Sequence, residues 1–463
     1  MDIITIVQAL QTLWVIFIAA MLFWRFRIGV AAYLAYILLV PYMKIDIGGF
    51  TLQWNLINIL LLIAFFLHRQ QHSEYEEYTG CDWRPLLPFA VYFGVSLLLI
   101  PFQDGLPSSY ALNYWRTESM KYLILPFVLW NDILVSYESL KLYRNVTVGC
   151  IVIAVLYGLF LTTMPGINPY MIVLSAANGE EFNLAYAAGN SGLSNDTTLS
   201  DERIFGRISS VFNHPMTFGL FLGLSLFYLY RNKENIYNLI LLGLTIFIMT
   251  DIIVCGVRSV IAASFLSILF LLIQTRNAKL FFIIGLGGCV LWTLFTHIPS
   301  LNTYLGSILS QHESTIGGSS FELRLSQLEG CFHEIQETFL EGKGYGWSAY
   351  YVSQHGGHPT ILFFESLVFV ILCNSGIIGM ILWIVMSTMI IKYNQWSERP
   401  IAALLNALFI FYIAYACITG EYGYMQYFII FYILMLGEEL YIENEEDLTI
   451  ENEEIDEIET KTF

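Results

Sequence analysis

The sequence predicts an all-α polytopic membrane protein, and its composition and its hydrophobic pattern both point to this class. Of its 463 residues, 56% are hydrophobic and only 13% are charged, which is more apolar surface than a soluble domain can cover. The apolar residues form long unbroken runs, which favours helices over the alternating pattern of a β-barrel. Helices also pair every backbone polar group internally, as a lipid environment demands. We therefore expect about 12–13 transmembrane helices, joined in part by two large loops on one side.

Thirteen apolar segments follow one another along the chain. They cover residues 6–24, 28–42, 52–68, 85–102, 119–135, 146–164, 215–230, 236–254, 258–275, 279–297, 361–391, 400–418 and 423–440. A span needs about 20 residues, so the short run 28–42 should tilt or extend into its neighbours. The long run 361–391 contains two glycines and is either one tilted helix or a broken one. If an early segment is re-entrant, about twelve spans are left and the N-terminus lies inside.

Lysine and arginine indicate the orientation of these segments. They concentrate in alternate short loops: Arg25 and Arg27, Lys141 and Arg144, Arg231 and Lys233, Arg276 and Lys279, Lys392 and Arg399. Loops enriched in this way are cytoplasmic. The long connections 165–214 and 298–360 then lie outside, and the C-terminal tail lies inside.

This pattern divides the chain into six parts. They are N-terminal transmembrane helices (1–164), a first outer loop (165–214), core transmembrane helices (215–297), a second outer loop (298–360), C-terminal transmembrane helices (361–440) and an acidic tail (441–463). Residues 438–463 hold twelve acids and one lysine, and so contribute −11 to the net charge of −17. The tail is expected to be disordered. The rest of the chain has no basic patch for nucleic acid, and its seven scattered cysteines show no metal-binding spacing, so we expect neither metal nor cofactor.

Three arginines stand where the outer loops meet the predicted spans. Arg207 precedes the span that starts near residue 215, Arg258 occupies a very short external turn, and Arg324 lies on a helical-looking stretch of the second loop. An external arginine at a span boundary runs against the positive-inside trend. Guanidinium groups bind phosphate oxygens in a bidentate manner, so these three residues are candidate substrate-binding groups. The alternatives are an ion pair with a loop acid for Arg207, snorkelling to lipid headgroups for Arg258, and simple solvation for Arg324.

Glu365 and His358 are the candidate catalytic residues. Glu365 lies within the apolar run 361–391, where a carboxylate is costly unless it is paired or used. His358, with His355, lies just before that run. Either a carboxylate or a histidine could take a proton from an attacking hydroxyl. The alternative is that Glu365 pairs with an arginine to hold the loop, and that both histidines are ordinary loop residues.

Four stretches of the chain resemble the O-antigen ligase and O-antigen polymerase superfamily. They read RISSVFNHPMTFG, IFIMTDIIVCGVRSVIAAS, FELRLSQLEGCFHEIQETFLEGKGYGW and ESLVFVILCNSGIIGMILWI. The order is an arginine, a helix start at Asn–x–Pro, an Arg–Ser turn, an arginine-bearing loop helix with a Gly-x-Gly turn, and a closing helix with Gly-Ile-Ile-Gly. The similarity covers roughly residues 203–391, while the first six spans match only in hydropathy.

The resemblance implies a metal-independent, inverting glycosyltransferase in the bacterial inner membrane. Such an enzyme transfers a glycan from an undecaprenyl-pyrophosphate donor at the periplasmic face, and the external arginines hold the pyrophosphate. Ligases of this superfamily carry a histidine eleven residues before the first glycine of the closing helix. Here, counting back from Gly376, that position is Glu365, which makes the polymerases the closer match.

The leading hypothesis is therefore a polymerase of lipid-linked polysaccharide repeat units. Its partners would be the undecaprenyl-pyrophosphate-linked oligosaccharide and the lipid bilayer, with room for a chain-length regulator. One alternative is an O-antigen ligase that transfers finished glycan to lipid A–core. Another is a transporter of lipid-linked glycan, which would favour polar residues along mid-membrane helices and internal symmetry.

Overall fold

The computed structural model describes residues 3–47, 50–71, 80–164, 167–179, 207–233, 236–276, 293, 297, 321–396 and 401–441. Helices dominate these ranges. Two strands, β1 (Lys44–Ile47) and β2 (Phe50–Gln53), form a short antiparallel hairpin between the second and third helices. The sequence did not predict this hairpin.

The helices are numbered in chain order. They are α1 (Ile3–Trp24), α2 (Phe26–Leu39), α3 (Trp54–Gln71), α4 (Leu87–Leu99), α5 (Ser108–Ile133), α6 (Tyr137–Leu161), α7 (Pro169–Ala177), α8 (Pro215–Arg231), α9 (Asn238–Val254), α10 (Arg258–Thr275), α11 (Phe321–Glu334), α12 (Trp347–His355), α13 (Leu367–Trp396), α14 (Ala402–Thr419) and α15 (424–441). Single 3-10 turns at Arg84–Leu86 and Ile100–Phe102 flank α4.

Length and composition identify the helices that can cross a membrane. Six described helical segments are long and apolar enough, and α2 and α9 are shorter apolar helices. The prediction of an all-helical membrane protein is confirmed at this level. The count of 12–13 spans stays a prediction, because the apolar segment 279–297 lies almost entirely outside the described residues.

The bundle has two ends of different chemistry, which we call the basic end and the loop end. At the basic end, three ion pairs between described residues join neighbouring helices: Arg27 to Asp132 (3.5 Å), Arg144 to Glu438 (3.1 Å) and Arg231 to Glu439 (2.8 Å). These arginines belong to the loops that the sequence assigns to the cytoplasm. The loop end holds the short helices α7, α11 and α12 and the candidate site residues.

Helix α13 is broken at Gly376, as one of the two sequence interpretations allowed. The backbone of Gly376 is non-helical there, with φ 59° and ψ −153°. The segment 339–344 lies against the break and pairs the exposed backbone groups: Lys343 N–H donates to the Cys373 carbonyl (2.8 Å), and Ile377 N–H donates to the Phe339 carbonyl (3.1 Å). Gln103 also donates from Nε2 to the Asn374 carbonyl (3.0 Å). Non-helical backbone at membrane depth is tolerated only where protein pairs it in this way.

Candidate functional site

Arg207 and Arg258 come together at one turn of the loop end. Gly256 lies in the turn between α9 and α10 with φ 64°, a conformation that favours glycine. A β-carbon added at Gly256 would lie 3.6 Å from Cγ of Arg207, so the Arg207 side chain packs directly on this turn. Arg258 is the first residue of α10, two positions further on. Both arginines are partly buried, so Arg207 contacts the turn that ends at Arg258 although the two are 51 positions apart in the sequence.

His214 is the third polar group beside this turn. It caps the N-terminus of α8: its Nδ1 accepts a hydrogen bond from the Met216 N–H (3.0 Å). Burial, followed by the charge of Arg207, lowers the pKa of His214 to about 3. His214 is therefore neutral at physiological pH. It can form hydrogen bonds in the site, and it adds no second positive charge beside Arg207.

Arg324 and Glu365 form an ion pair at the start of α13. Arg324 Nη2 donates to Glu365 Oε2 (3.1 Å) and to the Ile418 carbonyl (3.0 Å), and Nη1 donates to the Glu365 carbonyl. Burial lowers the pKa of Arg324, while the charge of Glu365 acts in the opposite direction. One guanidinium thus ties the second outer loop to α13 and to the end of α14. This is the pairing that the sequence left open as the alternative role of Glu365.

Glu365 does not lie inside a helix, contrary to its place in the predicted span 361–391. The helix begins at Leu367, and the residues before it form a tight loop. Leu362 and Phe364 have φ values of 59° and 55°, a region that bulky residues rarely adopt. Tyr422 donates from its hydroxyl to the Phe363 carbonyl (2.9 Å), which helps to hold this conformation. Unusual backbone that is held by several outside contacts is a common property of functional loops.

His358 is engaged at both of its ring nitrogens in this loop. Nδ1 accepts hydrogen bonds from the backbone N–H groups of Thr360 (3.2 Å) and Ile361 (3.1 Å), and Nε2 lies 3.3 Å from Oε2 of Glu334. The His358 backbone also pairs with Leu362. Since Nδ1 serves as an acceptor for the backbone, the ring organises the loop that leads to Glu365. His355, in contrast, is exposed at the end of α12 and stacks on Tyr351.

The sequence reasoning missed Glu421, in the turn between α14 and α15. Its Oε1 accepts from the Met425 N–H (3.1 Å), and its Oε2 lies 3.3 Å from the Tyr412 hydroxyl. The pKa of Glu421 is raised to about 7, chiefly by burial; Glu118 acts in the same direction, while the Met425 N–H and Lys121 act against it. Glu421 lies three residues after Ile418, whose carbonyl binds Arg324. The sequence signal was an acid within the turn TGEYGY, between two apolar runs on the outer side.

Asp251 is a second carboxylate that the sequence reasoning passed over. It is fully buried in α9, one turn before the Gly256 turn, and both of its carboxylate oxygens lack a hydrogen-bond partner. Its Oδ2 would lie 2.8 Å from a β-carbon added at Gly158 on α6, so a glycine makes room for it. A fully buried acid in an apolar helix is costly unless it is used or paired.

Within the described ranges, no group of three or more His, Cys, Asp or Glu side chains could hold a metal ion. The searches of family models, of curated proteins and of solved structures gave no match to this chain. Its function must therefore be inferred from the chemistry of the loop-end residues themselves.

Proposed function

We propose that this protein is a membrane glycosyltransferase that joins polysaccharide repeat units carried on a lipid pyrophosphate. The observation that carries the proposal is the packing of Arg207 on the turn that leads into Arg258. Two guanidinium groups at the end of an apolar bundle match the charge and the depth of a pyrophosphate whose polyprenyl tail lies in the bilayer. The superfamily resemblance of residues 203–391 gives the same assignment.

The proposed reaction is a displacement at the anomeric carbon of the donor. The acceptor hydroxyl loses its proton to a carboxylate, and its oxygen forms the new glycosidic bond. The bond between the anomeric carbon and the phosphate oxygen breaks, and its electron pair leaves with the lipid pyrophosphate. Arg207 and Arg258 stabilise the charge that accumulates on this leaving group, and Arg324 supports them from the second outer loop.

Glu365 and Glu421 are the two candidates for the proton-accepting carboxylate. The Oε2 atom of Glu365 already accepts from Arg324, which suits a residue that orients the acceptor and the loop. Glu421 has a pKa raised to about 7, chiefly by burial, and a base works best when its pKa lies near the working pH. Both lie at the loop end, on the side that we assign to the periplasm of the bacterial inner membrane.

The test is the lipid-linked glycan found in cells that lack the protein. We expect the deletion strain to accumulate single repeat units on the carrier lipid, and the wild-type gene to restore chain growth. Arg258→Lys should fail to restore it, because the ammonium group loses the bidentate fork. Lys141→Gln, which removes a cation at the basic end, should restore chain growth fully.

Two other outcomes would assign a different function. Polymerised chains that stay on the carrier lipid in the deletion strain would identify an O-antigen ligase. Unpolymerised units that no longer reach the outer side of the membrane would identify a transporter. Full complementation by Arg258→Lys together with Arg207→Lys would contradict the proposed role of these two arginines.

A further inference from the structure

A cavity of about 440 Å³ lies at the basic end, on the opposite side of the bundle from the candidate site. It is formed where α1 ends, α2 begins and α3 ends. Its polar lining residues are Arg25, Arg27, His68 and Gln71. Among the described lining residues none is acidic, so the cavity presents cations and hydrogen-bond donors.

Arg25 is the cation that gives this cavity its character. It occupies the single-residue break between α1 and α2, it is exposed, and its guanidinium lies 5.7 Å from the centre of the Trp24 ring. Arg27 lies two residues further on, in the first turn of α2, and reaches Asp132 on α5 (3.5 Å). The Asp132 pair fixes Arg27 at the wall of the cavity and leaves the Arg25 charge at its mouth.

The surroundings of the cavity are those of a membrane boundary. Phe23 and Trp24 end a helix that is long and apolar enough to cross a membrane, and they are 53% and 74% exposed. Ile63 and Leu67 continue an exposed apolar face along α3, at 47% and 43% exposure. Apolar side chains of this kind on a membrane protein face lipid, and an aromatic ring at the last turn suits the headgroup level. The polar cavity therefore opens directly beside surfaces that contact acyl chains.

We propose that this cavity binds the phosphate headgroup of an anionic phospholipid, with the acyl chains lying over the exposed apolar faces of α1 and α3. Arg25 and Arg27 supply the donors for the phosphate oxygens, and Gln71 can accept from or donate to a headgroup hydroxyl. The volume lies in the range of about 300–1,000 Å³ that is usual for small-ligand pockets. Basic pockets between helices on the cytoplasmic side suit this ligand, because the lipid surface there is negative.

The experiment compares lipid retention by the full chain purified in nanodiscs of dioleoyl-phosphatidylglycerol, of dioleoyl-phosphatidylcholine and of their mixture. The full chain keeps residues 72–79, which contain three glutamates and follow Gln71. We expect native mass spectrometry to show preferential retention of phosphatidylglycerol from the mixture. Arg25→Gln should reduce this preference about fivefold, as expected for one cation at a lipid surface. Lys141→Gln removes a cation of the same end outside the cavity and should leave the preference unchanged.

Gln71→Glu gives an independent readout, because it adds a carboxylate to the cavity and removes no basic group. It should also lower the preference, and high salt should weaken it in the wild type. Equal retention of the two lipids, or an unchanged preference in both Arg25→Gln and Gln71→Glu, would overturn the proposal. Thermal stabilisation by millimolar inorganic phosphate in phosphatidylcholine nanodiscs, without any lipid preference, would assign the cavity to a soluble phosphate and also overturn the lipid assignment.

Discussion

Two arginines of the basic end and two of the loop end differ in their surroundings. At the basic end Arg144 and Arg231 lie almost wholly within the bundle and bind acids of α15 that are only 4% and 6% exposed. At the loop end Arg207 and Arg258 are partly exposed and lie on a glycine turn between helices. A buried pair fixes the register of two helices, whereas a partly solvated cation at a turn stays accessible to a ligand. The degree of burial therefore distinguishes Arg144 and Arg231, which are structural, from Arg207 and Arg258, the candidate binding arginines.

Replacement of the Glu421 carboxylate should have the largest effect. We expect Glu421→Gln to lower glycosyl transfer by about 10²–10⁴-fold, the usual contribution of a positioned base. In the wild type, activity should fall as the pH drops below about 7, because Glu421, whose pKa burial raises to about 7, then becomes protonated. Glu118→Gln is the matched control and should retain most activity. The measurement is the rate of chain elongation by purified protein between pH 5.5 and 8.5.

A parallel experiment on Glu365 tests which of the two carboxylates accepts the proton. Glu365→Gln should lower the thermal midpoint, because Arg324 loses its charged partner, while activity falls only with the amount of folded protein. A stable Glu365→Gln protein without activity, beside an active Glu421→Gln protein, would transfer the proton-accepting role to Glu365.

Removal of a buried cation at the basic end should have the next largest effect. Arg144→Met leaves Glu438 buried without its cation, which usually costs about 3–5 kcal/mol in stability. The free energy of unfolding, measured by denaturant titration in detergent, reports it. Arg84→Met is the control, because Arg84 is 77% exposed in its pair with Asp82 and should change stability by less than about 1 kcal/mol. The double change Arg144→Met with Glu438→Leu should recover most of the loss, and its failure to do so would show that the pair does more than neutralise Glu438.

One methyl group added at the helix break in α13 should cause a smaller loss of stability. Gly376→Ala places a β-carbon about 2.5 Å from the Leu340 carbonyl oxygen, at a φ of 59°. Strained backbone of this kind costs about 1–3 kcal/mol, and segment 339–344 must also shift. Gly243→Ala adds the same methyl group within α9, where nothing lies within 4 Å, and should not destabilise the protein. Equal thermal midpoints for the two variants would mean that the break at Gly376 is not a required feature.

The sequence could predict the membrane class and most helix positions, because long apolar runs and cation-rich loops depend on local composition. It also placed Arg207 and Arg258 at the same end, through the positive-inside rule. It could not show that Arg324 binds Glu365, since residues 41 positions apart meet only in the folded chain. Glu421 escaped notice for a related reason. Its raised pKa comes first from burial in the fold, and its neighbours in the sequence do not indicate that burial.

Replacement of His214 should have the smallest effect and completes the comparison, since His214 contributes to stability at the loop end by capping a helix. It caps α8 through the hydrogen bond from Met216 N–H to Nδ1, and loss of an N-cap costs about 1 kcal/mol. His214→Ala should therefore lower the free energy of unfolding by about that amount, while His214→Asn, which also caps helices well, should lower it less.

The pH dependence of stability at His214 has a definite sign. Burial and Arg207 lower the pKa of His214 from 6.5 to about 3 in the folded protein, so below about pH 6.5 the unfolded chain binds a proton that the folded chain does not. Stability from this residue is complete above pH 6.5 and declines as the pH falls toward 3. Denaturant titrations at pH 7.5 and 5 should show this decline in the wild type and a shallower one in His214→Asn. The same slope in both proteins would place the acid sensitivity elsewhere and remove His214 from the group of residues that Arg207 influences.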